Sequence, residues 1–177
     1  MATTKWILDP SHSEVSFKVK HLMVTNVSGN FNSFSVTAET TDDNFTNATV
    51  AFSADTTSIS TNSEQRDEHL KSGDFFDAAN FPQIIFKATK LEKKSGDDYE
   101  LTGDLTIKEV TKSVKLNAEF GGVVKDPWGN TKAGFTVTGK INRKDFGLNW
   151  NAVLETGGVM VSEDVRINSE IQLVKQA

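Results

Sequence analysis

Apolar and polar residues alternate with a period of two through almost the whole chain, and no other feature constrains the fold as much. Val15, Phe17 and Val19 alternate with Glu14, Ser16, Lys18 and Lys20; Phe34, Val36 and Ala38 alternate with Ser35, Thr37 and Glu39. The pattern returns at Val50, Phe52 and Ala54, at Ile84, Phe86 and Ala88, and at Leu101, Leu105 and Ile107. It continues at Val114, Leu116, Ala118 and Phe120, at Phe135, Val137 and Ile141, and at Val165, Ile167, Ile171 and Leu173. Successive side chains of an extended backbone point to opposite faces, so the pattern predicts a sheet with one dry and one wet face. A short strand around Trp6 and Ile7 brings the expectation to about eight or nine strands.

The interruptions are as informative as the pattern. Phe31 is out of phase with Phe34, which predicts a bulge near Asn32-Ser33 of the kind that coils a sheet into a barrel. Turn-forming residues separate the strands at Asn26 to Gly29, Lys94 to Asp97 and Asp126 to Asn130. Thr61 to Leu70 has no alternation. Thr61 with Glu64 fits a capping box and Gly73 a C-terminal stop, so a short polar helix is expected near residues 62–72. Phe75-Phe76 and Phe81-Pro82 follow at once and are placed to pin that helix across a barrel mouth. No repeat or linker divides the chain, so residues 1–177 read as a single domain. Many strands with one apolar face predict an all-β fold, a closed antiparallel barrel or a sandwich. Closure would leave no strand edge exposed.

Composition narrows the function. The net charge is −5 and no basic block appears, which argues against a nucleic-acid partner. Absence of cysteine removes disulfides, thiolate zinc sites and thiol catalysis. No apolar run reaches the ~20 residues of a membrane helix. The first residues lack a charged and apolar leader, so the chain as written is expected in the cytoplasm, or in the periplasm if a signal has been removed. Phenylalanine outnumbers tyrosine 12 to 1, which suits a dry interior, packed or hollow. The inward series places Ala38, Ala54, Ala88, Gly103, Ala118, Gly139 and Ser169 beside large residues. In an eight-strand barrel such small residues either leave a slot for a ligand or fit a taper, and the pattern alone allows both.

Three polar groups are candidates at a barrel mouth. His21 shares the dry-face parity of Phe17 and Val19 but stands at the strand end, whereas His12 has wet-face parity. Arg66 and His69 lie in the helical segment; Arg66 either binds a phosphate or pairs with Asp67 or Glu68 or anchors the helix. Arg143 and Lys144 could draw an anionic head group, with Phe146 and Trp150 as apolar wall, or the segment is a packed turn. No metal-ligand spacing, phosphate loop, dinucleotide fingerprint or nucleophile elbow occurs, so neither a metal nor a cofactor is expected.

The motifs, taken together, resemble the YceI-like family of lipocalin-like polyisoprenoid-binding proteins. They are Trp6 to Asp9 with Ser11-His12-Ser13, Val15-x-Phe17-x-Val19-x-His21, Gly29-x-Phe31, Arg66-Asp67-x-His69-Leu70 and Asp74-Phe75-Phe76-Asp77. Phe81-Pro82-x-Ile84-x-Phe86, Gly103-x-Leu105-Thr106-Ile107 and Asn142-Arg143-x-Asp145-Phe146-Gly147 complete the set across nearly the whole chain. The resemblance implies an extended barrel of about eight strands around an apolar tunnel. It implies as ligand a polyprenyl diphosphate or a prenylated quinone, and that homodimers occur. Combined with parity, it places the ligand along Phe17, Val19, His21, Phe34, Val36, Phe52, Arg66, His69, Phe76, Phe81, Ile84, Phe86, Leu105, Leu116, Phe135, Val137, Phe146 and Trp150. Binding for storage, transport or protection is the expected role, and not catalysis. An enzyme acting on a prenyl lipid or quinone would need an acid–base pair at the mouth, such as His21 with a carboxylate. A ligand-free stress or interaction protein would need a packed barrel.

Overall fold

The computed structural model describes residues 3–22, 24–149 and 161–176. Among them, eleven strands form one antiparallel sheet that closes on itself. They are β1 (Thr3–Leu8), β2 (Glu14–His21), β3 (Thr25–Phe31), β4 (Phe34–Thr41), β5 (Asn44–Asp55) and β6 (Ile59–Ser60), followed by the helix α1 (Glu64–Lys71). Then come β7 (Gln83–Ser95), β8 (Asp98–Ile107), β9 (Val110–Lys125), β10 (Thr131–Asn142) and β11 (Asp164–Lys175).

Six of the strands are halves of three bent staves. β1 and β2 both pair with β11, β1 through Trp6–Leu8 and β2 through Glu14–Lys18. β3 pairs with β2 and β4 with β1, while β5 pairs with β4 and β6 with β3. With β7 to β11 as single staves, the result is an eight-stave, up-and-down barrel. The three corners lie side by side. A 3-10 turn at Pro10–His12, opened by the Asp9 side chain accepting from the Ser11 amide, makes the first. Asn32-Ser33 makes the second, as the phase break at Phe31 predicts. The Asn32 amide donates to the Ser58 carbonyl and the Asp55 amide to that of Ser33, which ties it to the third corner at Thr56–Ser58.

Beyond its corner β6 is only two residues long and β7 does not reach it, so strand pairing stops there. Residues 61–82, including α1, close that part of the wall. The helix expectation holds in place and length, but its cap differs. Ser63, not Thr61, accepts from the Arg66 amide, and the helix ends at Ser72, one residue before Gly73. Thr61 is buried and turned to another use: its amide and hydroxyl both donate to Asp67 Oδ1, at 2.8 and 2.6 Å.

The end of the barrel at which the β4–β5 and β7–β8 hairpins turn is filled. Trp6, Phe45, Phe135, Phe120 and Tyr99 form a chain of ring contacts with centroid separations of 4.9, 5.0, 5.0 and 6.1 Å. Trp6 is fully buried and its indole N–H donates to Thr40 Oγ1 at 3.1 Å. Phe45 faces inward although its parity is opposite to that of Ala48 and Val50. Asn47 lies between them in the left-handed region (φ 61°), which resets the phase of the strand. An extra residue at Gly121 does the same in β9, so that Phe120 stands opposite Phe135.

Candidate ligand-binding cavity

Between the aromatic plug and the bent end runs a cavity of about 400 Å3, within the range of small-molecule pockets. Its floor is Phe45 and Phe135, and its walls are the inward residues of the staves, from Val36 and Ala38 through Phe52, Ile84 and Leu105 to Ile167 and Ile171. The inward small residues divide into two groups. Ala38, Ala54, Ala118 and Ser169 line the cavity, so their missing volume is open space. Ala88, Gly103 and Gly139 do not line it. A Cβ on Gly103 would lie 2.7 Å from the Phe86 ring, and one on Gly139 would lie 2.3 Å from Leu116. These glycines are filled by neighbours, and they set where Phe86 and Leu116 stand.

Polarity gathers at the mouth. Lys20, His21, Thr61, Arg66, His69 and Arg143 line the cavity there, and among the described residues no aspartate or glutamate does. Arg66 donates from Nε to Thr61 Oγ1 at 2.7 Å and from Nη2 to the Thr61 carbonyl at 2.6 Å, fastening α1 to the end of β6. It forms no ion pair with Asp67 or Glu68, contrary to one sequence expectation, because Asp67 is taken by Thr61. His69 Nε2 lies 2.8 Å from Asp74 Oδ2, with its ring edge-on to Phe75. His21 forms a ladder bridge with Val161.

Arg143 is almost wholly buried (3 % exposed) and donates to the carbonyls of Leu148, Ser162 and Val161 at 2.6, 2.9 and 3.3 Å. Burial pulls its pKa below the ordinary guanidinium value. Its donors tie Leu148 to Ser162 and Val161, as expected of a packed turn, while the side chain also borders the cavity mouth. Lys144 is exposed and pairs with Glu163 at 2.8 Å, so it too is already partnered.

Of the residues placed on the ligand by sequence, Phe17, Val19, His21, Val36, Phe52, Arg66, His69, Phe76, Ile84, Phe86, Leu105, Leu116, Phe135 and Val137 line the cavity. Phe34, Phe81 and Phe146 do not. Phe34 packs on Phe52 beside the bent corner (centroids 6.3 Å). Phe81 lies in the connection from α1 to β7, where its carbonyl accepts from Thr56 Oγ1. Phe146 is 1 % exposed, inside a 3-10 turn after β10. Trp150 is outside the described residues. Sequence reasoning missed the floor residue Phe45, whose parity is hidden by the Asn47 reset. It also missed Leu91, whose parity is reset by the irregularity between Ala88 and Lys90, and Leu101 and Leu173, which carry the alternation and were legible as inward.

A closed antiparallel barrel with a plugged end and an apolar cavity under a polar rim defines a lipocalin-like barrel protein. Residues 6–173 match the YceI-like domain, and the chain belongs to that family. A UPF0312 protein of Staphylococcus aureus is 41% identical over 170 residues, which cover 96% of each chain. The crystal structure of a Campylobacter jejuni YceI protein is 34% identical, covers 96% of this chain and 97% of that one, and superposes with a TM-score of 0.77. A domain from Saccharophagus degradans, described as polyisoprenoid-binding and implicated in plant cell wall breakdown, is 14% identical and shares the fold. Its TM-score is 0.68, with 97% of this chain and 98% of that one covered.

Proposed function

We propose that the cavity holds a long-chain polyisoprenoid lipid, a polyprenyl diphosphate or a prenylated quinone, for storage, transport or protection. The tail points toward Phe45 and Phe135, and the head group stays at the Arg66 rim. The observation that carries this reading is the lining itself: among the described residues it is carbon along nearly its whole length, with its charged groups at the mouth and no carboxylate. Branched aliphatic and aromatic walls suit a methyl-branched chain, and burial at roughly 25 cal/mol per Å2 of apolar area supplies the affinity. The polyisoprenoid-binding neighbour is consistent with this choice. His21 has no carboxylate partner among the described residues, so the acid–base pair that an enzyme would use there lacks support.

The test is mass spectrometry of the organic extract of freshly purified protein, then of the same protein after incubation with polyprenyl diphosphates and quinones. A stoichiometric prenyl lipid is expected. Ala54→Phe, which fills part of the cavity, and Phe52→Asp, which puts a carboxylate into it, are both expected to lose that lipid. An extract that stays empty after incubation, or full retention by both variants, overturns the reading.

A further inference from the structure

The outer wall at the mouth has a character that neither the barrel nor its cavity requires. From Val15 to Ala38 the chain has no aspartate or glutamate, although it carries 24 in all. That acid-free stretch runs from β2 through β3 into β4, and the tip of its β2–β3 hairpin stands at the mouth beside His21. Two apolar side chains at the tip face solvent: Leu22 is 39% exposed and Val24 78%. Below them, Lys140 of β10 stands directly opposite Arg166 of β11, and Arg166 directly opposite Lys18 of β2. All three are exposed.

Like charges directly opposite one another across strands are destabilising, so this row costs stability. Among the described residues, Asp164 lies 3.7 Å from Lys140, and Glu163 is held by Lys144. Lys18, Lys20 and Arg166 have no ion-pair partner among the described residues. Farther from the mouth on the same strands the sign reverses: Glu170 stands opposite Glu14. Toward the closed end Lys132 and Lys175 are held by Asp9 and Asp43. Among the described residues, the cations without counter-charge on this wall therefore lie toward the mouth and the opposed glutamates away from it, in a chain whose net charge is −5.

We infer that the mouth end docks on an anionic lipid surface. Leu22 and Val24 enter the head-group layer, Lys18, Lys20, Arg166 and Lys140 lie over the lipid phosphates, and the cavity opens onto the bilayer. Exposed apolar residues beside cations that lack counter-charges are the composition of an interfacial membrane anchor. The charge reversal along the wall turns the mouth toward the surface and keeps the closed end away from it. This goes beyond the ligand reading and gives it a route, since an apolar chain could pass from bilayer to cavity without crossing water.

Co-sedimentation of the full protein with phosphatidylcholine vesicles, with and without a minority of phosphatidylglycerol, tests the docking. The organic extract of the same preparations reports ligand retention separately. Binding is expected to the anionic vesicles alone. It should fall steeply between about 0.1 M and 1 M salt, as the screening length shrinks from about 10 to about 3 Å. Removing Lys18 and Arg166 together (Lys18→Ser, Arg166→Thr) should weaken partitioning about fivefold per cation without lowering the melting temperature, because repulsion is relieved. Val24→Ser should weaken it further, with retained lipid unchanged. Equal binding to neutral vesicles, no binding to either, or full binding by these variants overturns the inference, whatever the extract contains. A change of sedimenting mass with Val24→Ser at constant vesicle binding also overturns it, in favour of a second copy at the tip.

Discussion

The two ends of this barrel are built from the same staves and solve opposite problems. At the plugged end Trp6, Phe45, Tyr99, Phe120 and Phe135 touch one another, and the indole N–H is satisfied by Thr40. At the bent end Phe17, Phe31 and Phe76 also meet (5.7 and 6.0 Å between centroids), but Phe17 and Phe76 are only half-buried around open space. Close packing gains dispersion contacts that a cavity wall forgoes. The filled end should therefore supply stability, and the hollow end should spend it on a binding site. The corners at Asp9–Ser13, Asn32-Ser33 and Thr56–Ser58 mark the changeover, because there the first two staves bend while staying paired and the third leaves β7.

The sharpest way to break this contrast is to truncate one ring at each end. Phe45→Ala should destabilise the fold by about 3–5 kcal/mol in denaturant unfolding, as for a buried aromatic. Phe17→Ala should cost clearly less, because its ring is half-buried and already borders empty volume. Similar costs for the two would mean that the ends are energetically alike.

A smaller effect is expected outside the plugged end. There Asp9 accepts from Lys132 Nζ at 2.7 Å, and Lys132 lies 3.7 Å from Asp126. The Lys132 ammonium, then His12 and Ser11, hold the Asp9 carboxyl well below the usual carboxylate range. The folded-state pKa thus lies below the unfolded one. The stabilisation is fully present above the unfolded value near 3.8 and is lost as the pH falls below it. Asp9→Asn should cost about 1–3 kcal/mol at neutral pH and flatten the acid limb of the stability profile. An unchanged acid limb would remove Asp9 from this role.

The smallest effect on stability is expected at the rim. Arg66→Gln keeps part of the link to Thr61 and removes the charge. Melting should shift little, while competition between a polyprenyl diphosphate and the matching prenyl alcohol should lose about tenfold in preference for the diphosphate, the scale of one hydrogen bond to a charged group. An unaltered preference would detach the head group from Arg66.

What was legible in the sequence is what depends on local geometry. Side-chain direction alternates along any extended chain, so Val36, Phe52, Phe86, Leu105 and Val137 could be placed on the inner face before any contact was known. The phase break at Phe31 announced the corner at Asn32-Ser33, and the polar run from Thr61 announced α1. The same local rule failed where a single backbone angle breaks the count, as at Asn47, which hid Phe45. It also failed where alternation was never the issue. Phe34, Phe81 and Phe146 are apolar and buried or half-buried, yet they pack beside the cavity and not into it.

The sequence by itself determined the strands, their inner and outer faces, the helix and the family, because these follow from neighbours within a few residues. Only the tertiary structure decided that the apolar face encloses a cavity, that one end is plugged, and that Arg143 serves three backbone carbonyls. It alone brought Lys140, Arg166 and Lys18 into one row. Each of these depends on which residues, distant in the chain, come to lie across a strand pair or a barrel diameter. That is set by register and closure, and no local pattern encodes it.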